Sequence, residues 1–366
     1  MKAIISTLMS VIMVLASFLG IYAPKAELQK DKWNTDYTYV FVHGLMGWGE
    51  YDGIYKLMPY WGMFGGDLMK YLRKQGYDVH AASVAPKDSA WDRACELYAQ
   101  LTGTVVDYGK AHSEKYGHER YGADYTDNAL VEAWSENEKI NLLGHSFGGA
   151  TVRMLGYLMA KGCEEERAVT AEDEISGLFT GGKESWIYSI TALAAPHNGT
   201  SSYNTGDETE EDSEGVLPDT AAYDMQIDNA LELNKKLSIS DKTYYFSIPC
   251  CMTTQNEEGV WVPDESRMEF LFVESSKAIG SFEGVTENGF VIDKTWQPND
   301  GLVNTVSAKA PMHNPSKTYD EKNVTTGVWN IMPTYEGDHM SLQGGMTKYN
   351  DVRLLYAEHL EMINML

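Results

Sequence analysis

Cysteine is scarce in this chain: 366 residues hold four, Cys95, Cys163, Cys250 and Cys251, two of them adjacent. That excludes a disulfide framework as the basis of stability for so large a domain. Basic residues are also few, 29 Lys and Arg against 53 Asp and Glu, for a formal charge of −24. Nucleic acid and anionic membranes both require a positive surface, so partners held by bulk electrostatics are excluded and a neutral substrate is favoured. No internal repeat divides the chain. Apolar runs of membrane-spanning length are confined to the start, where Lys2 precedes a stretch from Ala3 to Ala23 broken only by a few Ser and Thr. Residues 1–26 read as a secretory signal, with the cleavage point open because Pro24 follows Ala23. The run approaches the ~20 residues that cross a bilayer, so an uncleaved anchor is the alternative.

What remains is rich enough to fold: 43% of the residues are hydrophobic, ample for a buried core. Strand-like segments recur at Tyr37 to Val42, Tyr77 to Val84, Ile140 to Leu143, Ile187 to Ala194 and Thr243 to Ile248. Helical periodicity fills gaps between them at Gly66 to Gln75 and Ala150 to Ala160, and returns at Asp351 to Ile363. This alternation predicts a mostly parallel central sheet with helices on both faces. Residues 27–366 are expected to form one such domain, with two interruptions. The segment 86–130 carries too many Gly, Tyr, His and Asp for a plain crossover helix and reads as an insertion at the sheet edge. The segment 198–218 reads as a solvated loop: Ser201 to Val216 contains six acidic residues and no basic one.

Gly144-His145-Ser146-Phe147-Gly148 places a serine between glycines, after the apolar Ile140 to Leu143 and before a helical pattern. This is the G-x-S-x-G elbow of the α/β-hydrolase fold, in which flanking side chains would clash and the serine Oγ projects towards a base. A serine hydroxyl needs that base, and a carboxylate to orient it. In this fold the chain order is serine, acid, histidine. Asp300, in Asn299-Asp300-Gly301, follows a hydrophilic turn and precedes Leu302-Val303; the competing reading is a turn aspartate bonded to its own backbone. Of nine histidines, His313, His339 and His359 follow it. His359 falls in the terminal helical pattern and reads as solvated, and His313 lies in a polar stretch. His339 sits in the glycine-rich loop Gly337 to Gly345 and is the preferred base. Oxyanion donors are expected from the N–H groups of Phe147 and Leu45. His43 and His145, at strand ends, are read as supporting residues. Cys95, in a helical stretch, is read as a buried thiol.

Asp92, His112, His118 and Asp219 form a second group. His112 and His118 are six residues apart, about 240° around an ideal helix, so they share an ion only if the chain turns between them. Gly117 permits the turn. From spacing alone, two unrelated surface histidines remain the default reading.

The run Val42 to Gly49, Tyr60-Trp61-Gly62, Trp91-Asp92-Arg93-Ala94-Cys95, Val106-Asp107-Tyr108-Gly109 and Asn299-Asp300-Gly301 together resemble the zinc-containing bacterial lipases of the thermoalkalophilic Geobacillus and staphylococcal type, over about residues 37 to 360. The resemblance implies a secreted triacylglycerol lipase or carboxylesterase with Ser146, Asp300 and His339 as its triad and Leu45 and Phe147 as oxyanion donors. It also implies a structural zinc ion held by Asp92, His112, His118 and Asp219, four protein ligands that leave no open position for metal catalysis. The implied substrate is a lipid or other carboxylic ester, met in transient contact at a lipid interface. Three departures stand out. Gly144 replaces the family's alanine and is sterically permissive. Ser341 and Met346 stand where the family places calcium-binding carboxylates, which argues against Ca2+ there. The stretch from His197 to Asp219 is short where the family carries much of its lid, so a reduced lid and an esterase of short-chain or polymeric substrates form the rival within the same chemistry. A non-catalytic, zinc-stapled binding protein on the same scaffold is the rival from another class.

Overall fold

The computed structural model describes residues 23–206, 217–348 and 350–366. The leader as far as residue 22, and residues 207–216 of the acidic loop, lie outside the described residues. Among the described residues no helix is long and apolar enough to cross a membrane.

Seven strands form one sheet: β1 (Thr38–Val42), β2 (Val79–Ala82), β3 (Ile140–His145), β4 (Ile187–Leu193), β5 (Tyr244–Ile248), β6 (Ser316–Thr318) and β7 (Trp329–Ile331). Their order is β6-β7-β5-β4-β3-β1-β2, and every neighbouring pair is parallel. The five longer strands coincide with the apolar runs in the sequence. β6 and β7, three residues each, lie where no such run announces them.

A parallel sheet buries both faces, because its crossovers lay helices on them. Alternation along β1 divides its residues accordingly: Tyr39 and Phe41 enter one core, Val40 and Val42 the other. The helices that cover these cores are α1 (Leu68–Gln75), α2 (Ala90–Thr102), α4 (Gly148–Lys161) and α5 (Arg353–Asn364), with the short α3 (Lys110–Tyr116) outside them. α1 and α5 bring Leu68, Leu72, Tyr356 and Leu360 to the first core; α2 and α4 bring Ala94, Leu97, Val152 and Leu155 to the second. The bounds of α2 follow from its ends. Ser89 Oγ accepts the Asp92 N–H at 3.2 Å, a cap worth about 1 kcal/mol, and Gly103 stops the helix at φ 65°.

Three sequence expectations change here. The stretch 86–130 is not one insertion: α2 is itself a crossover from β2 to β3, its Ala90, Ala94, Cys95 and Leu97 buried in the core. Only the part after Gly103 is added, an antiparallel pair (Val105–Asp107 with Tyr121–Asp124) flanking α3. Asp92, Arg93 and Gln100, polar yet buried, interrupt the apolar stripe of α2. His359 is not solvated: it is buried, with Nε2 2.9 Å from Thr191 Oγ1 on β4. α5 lies on the sheet, and the hydroxyl on β4 gives the imidazole a partner there. The domain also reaches back before residue 27, since Ala26 is buried and the Pro24 carbonyl accepts from Tyr71 Oη at 3.0 Å.

Candidate active site

All seven strands point one way, so the loops at their C-terminal ends gather at one edge of the sheet, where open α/β sheets bind ligands. Ser146 follows β3 directly and adopts φ 54°, a left-handed conformation rare for a residue with a side chain. The close approach of neighbouring backbone explains the glycines. A Cβ on Gly148 would lie 2.4 Å from the Val42 carbonyl oxygen, and one on Gly144 would lie 2.3 Å from the Gly148 oxygen. Glycine at 144 is therefore required by this backbone.

The structure brings Ser146, Asp300 and His339 together. His339 Nε2 lies 2.8 Å from Ser146 Oγ, and its Nδ1 lies 2.9 Å from Asp300 Oδ2. Asp300 comes from the connection between β5 and β6, His339 from the loop after β7. Asp300 Oδ1 accepts the N–H groups of Leu302 and Val303 at 3.0 and 2.8 Å, so it is also the self-bonded turn aspartate of the competing reading. One oxygen closes the turn and the other faces the imidazole. His313 takes no part, lying in a turn at φ 72°. All three grouped residues are buried, with Ser146 the most exposed at 6%. In so dry a place a Ser–His–Asp relay can move a proton from the hydroxyl to the imidazole while the carboxylate fixes the ring.

Leu45 and Phe147 lie on the two turns that flank Ser146. Among the hydrogen bonds of the described residues, neither backbone N–H donates to a protein acceptor. The Leu45 turn is braced by His43, whose Nδ1 lies 2.8 Å from the Gly44 carbonyl oxygen and whose Nε2 accepts from Val84 N–H at 3.2 Å. A carbonyl only accepts, so Nδ1 carries the proton. Burial, aided by the Arg93 charge, lowers His43 to about 3 and keeps it neutral. His145 is likewise lowered to about 3, by burial first and then by His339. It accepts from Tyr60 Oη at 2.6 Å on Nδ1 and donates from Nε2 to the His339 carbonyl at 2.8 Å. Tyr60 Oη in turn accepts Gly44 N–H at 3.2 Å.

Neither Tyr60's link nor Glu269 is signalled by its neighbours in the sequence. The buried Glu269 carboxylate accepts the N–H groups of Met346 and Lys348, both at 2.7 Å, and the Thr347 hydroxyl. Asp338, raised by burial, accepts Glu269 N–H at 2.7 Å and the Ser341 hydroxyl at 2.8 Å. The positions considered for calcium, Ser341 and Met346, are thus bonded to carboxylates of the chain itself. The Glu269 pairings are long-range and leave no local pattern, whereas Ser341 bonds to Asp338 three residues before it.

Asp92, His112, His118 and Asp219 form a cluster that could hold a metal ion, with one ligand atom from each within 4.8 Å of the others. His112 Nε2 lies 3.1 Å from Asp92 Oδ1 and 3.2 Å from Asp219 Oδ1, and His118 Nε2 lies 3.4 Å from Asp219 Oδ2. A tetrahedron with arms of roughly 2.0–2.1 Å has edges of about 3.3 Å, the spacing seen here. Among the described residues, Asp92 Oδ1 and both Nε2 atoms lack hydrogen-bond partners although buried, as expected of atoms that face a cation. His118 Nδ1 lies 2.9 Å from the Glu119 carbonyl, which fixes the tautomer that turns a lone pair inward. Gly117, at φ 79°, makes the turn after α3 that brings the two histidines together.

The sheet, the elbow and the Ser146–His339–Asp300 arrangement define an α/β-hydrolase fold. The chain matches the model of the family described as "Lipase-like, C-terminal domain" over residues 35–213 and 215–360, and belongs to that family. It is 31% identical to the lipase of Staphylococcus hyicus over 92% of its own length and 58% of that protein's, so it spans little more than half of that relative. Among solved structures it is similar to EstA from Clostridium botulinum, with TM-score 0.82, 31% identity and coverage of 94% and 91% of the two chains. The Staphylococcus hyicus lipase structure follows at 0.78 and 30%, covering 93% and 98%.

Proposed function

We propose that this protein is a serine carboxylic ester hydrolase, a lipase or carboxylesterase, acting through an acyl-enzyme on Ser146. The observation that carries this reading is the unbroken run from Ser146 Oγ through the His339 ring to Asp300, at 2.8 and 2.9 Å. His339 Nε2 takes the Oγ proton as Oγ bonds to the ester carbonyl carbon. The carbonyl oxygen, now negative, receives the Leu45 and Phe147 N–H groups. Collapse expels the alcohol, which leaves with the proton from His339. Water then repeats the sequence on the acyl-enzyme, His339 again acting as base, and releases the carboxylic acid. Asp300 holds the Nδ1–H tautomer throughout and stabilises the imidazolium.

An ester with an apolar acyl chain suits the surroundings. Leu45 and Met46 on the oxyanion turn, and Phe270 and Leu271 beside the Phe272 that packs near His339, are all exposed. The short segment between His197 and Asp219 favours a reduced lid and hence access for soluble or polymeric esters. The cluster of Asp92, His112, His118 and Asp219 suits zinc, two neutral imidazoles and two carboxylates balancing its charge. Bound there, zinc supplies a structural cross-link between α2, α3 and the Asp219 loop. The leader suits export.

Covalent labelling with a fluorophosphonate tests the reading. The parent chain should label at Ser146 and Ser146→Ala should not; an unlabelled parent that still binds esters without cleaving them supports the binding-protein alternative.

A further inference from the structure

Arg93 is a fully buried arginine with no ion pair among the described residues. Its Nη2 donates to the His43 carbonyl, while among the described residues Nε and Nη1 have no hydrogen-bond partner. The guanidinium carbon lies 5.1 Å from the centroid of the Phe147 ring. Glu96, on the same helix, does not neutralise it by contact, since its carboxylate oxygens accept from Ala85 N–H and, at 2.9 Å, from Tyr108 Oη. A buried cation left so incompletely satisfied is costly, and a residue that serves only as a tether does not need the charge. Methionine or leucine of similar volume would fill the space at lower cost.

The contacts of this side chain indicate a use. His43 begins the turn that brings Gly44 and Leu45 beside Ser146, and Phe147 follows Ser146 directly; Leu45 and Phe147 are the two residues to which the proposed function gives the oxyanion N–H groups. One guanidinium therefore touches both chain segments from which the oxyanion donors come. Its hydrogen bond holds the first turn, its guanidinium lies over the aromatic ring of the second, and its charge, with Glu96 and Asp88 near but no carboxylate in contact among the described residues, adjoins both. A positive charge in a dry site, held there before substrate arrives, stabilises negative charge that appears only in the transition state.

We propose that Arg93 is a positioning residue for acyl transfer, holding the His43 to Leu45 turn and the Phe147 peptide in register and biasing both towards an oxyanion. This rests on the serine ester hydrolase reading above. Helix α2 carries Arg93 in its first turn, where the cap at Ser89 fixes the direction in which the side chain leaves the helix.

The experiment compares Arg93→Met, which keeps an unbranched stem and removes the charge, with Arg93→Lys, which keeps the charge. Fluorophosphonate titration first counts the competent sites, and rates are expressed per site. Two quantities are then measured: kcat and KM for a soluble butyrate ester, and the inhibition constant of a trifluoromethyl ketone, which adds to serine as a tetrahedral oxyanion. Loss of a donor itself costs about a hundredfold to a thousandfold, so loss of its brace should lower kcat by about tenfold to a hundredfold. KM should stay within about twofold, ketone affinity should fall by the same factor as kcat, and Arg93→Lys should recover most of both, because preorganisation acts on the transition state. A purely structural role lowers the number of competent sites and leaves the per-site ketone affinity unchanged. That result in Arg93→Met overturns the proposal. If Arg93→Met does not fold, folded Arg93→Lys decides it: near-parental ketone affinity supports the charge, and a loss as large as that expected for the methionine variant overturns it. A parent chain that does not label at Ser146 overturns the acyl-enzyme reading, and this inference with it.

Discussion

Tyr60 Oη and His145 Nδ1 share a 2.6 Å hydrogen bond that joins two parts of the active site remote in sequence. On one side Tyr60 accepts from Gly44 N–H in the Leu45 turn; on the other, His145 donates to the His339 backbone carbonyl. The His339 loop and the Gly44–Leu45 turn are thus linked through one hydroxyl and one neutral imidazole. Tyr60→Phe removes the hydroxyl and leaves His145 Nδ1 and Gly44 N–H unpaired. A lost buried hydrogen bond costs about 1–3 kcal/mol. The variant should melt several degrees lower and lose kcat about tenfold with KM little changed, as steady-state kinetics on a soluble ester would show.

Asp300→Asn should fold, because the amide oxygen can still accept from Leu302 and Val303. It no longer selects the Nδ1–H tautomer of His339, and by analogy with the same change in a serine protease triad kcat should fall by about 10⁴. Binding of a non-hydrolysable substrate analogue should be unaffected, and a loss of binding equal to the loss of rate would argue that Asp300 is chiefly structural.

Gly144→Ala tests the backbone argument at the elbow. The added Cβ would meet Gly148 backbone atoms at 2.3 and 2.4 Å, and those atoms cannot swing away as a side chain can. Overpacking of this kind costs about 1–3 kcal/mol. We expect a lower melting temperature and reduced kcat; an unchanged melting temperature would mean that the elbow relaxes freely.

Acid should unfold this protein early. Burial, with Arg93 for His43 and His339 for His145, lowers those two to about 3, and burial lowers His359 to about 4, against an ordinary 6.5. All three stay neutral in the folded state, while the unfolded chain takes up their protons near pH 6.5. Their contribution is therefore complete above that pH and is lost as pH falls towards the folded values, at roughly 1.4 kcal/mol per pH unit for each histidine. Melting temperature should drop steeply between pH 6 and 4. His359→Asn, remote from Ser146, should make the drop shallower without changing kcat at neutral pH; a flat profile to pH 4 contradicts the burial argument.

Removing metal with a chelator should lower the melting temperature while the initial rate at moderate temperature stays near its starting value. Asp219→Ala should reproduce the loss of stability and make the protein insensitive to chelator. Immediate loss of rate in a still-folded protein would assign the ion a part in the chemistry.

The sequence made the site more legible than the scaffold's edges. Ser146 and its glycines form a local motif because the backbone crowding that requires them is local. His339 could be chosen among three later histidines from its flexible flanks, and the structure puts its ring against Ser146. The two short strands β6 and β7 carry too few residues for a period, and their pairing is fixed by β5 beside them. The apolar stripe of α2 is hard to see because buried polar residues break it: Asp92 joins the His112 cluster, Arg93 reaches the His43 carbonyl and Gln100 bonds to the Ser83 backbone. Tyr60, Arg93 and Glu269 act through contacts to distant segments, and nothing in their immediate neighbours signals that.

The central claim is that Ser146 carries the acyl group. Acid-quenched reaction with an activated ester, followed by intact and peptide mass measurement, tests it most directly. The account predicts a transient adduct of one acyl mass on the peptide containing Ser146, formed in a burst and accumulating further in the presence of added alcohol-free organic solvent that slows hydrolysis. Turnover with no adduct at any time, together with undiminished hydrolysis by Ser146→Ala, would contradict it.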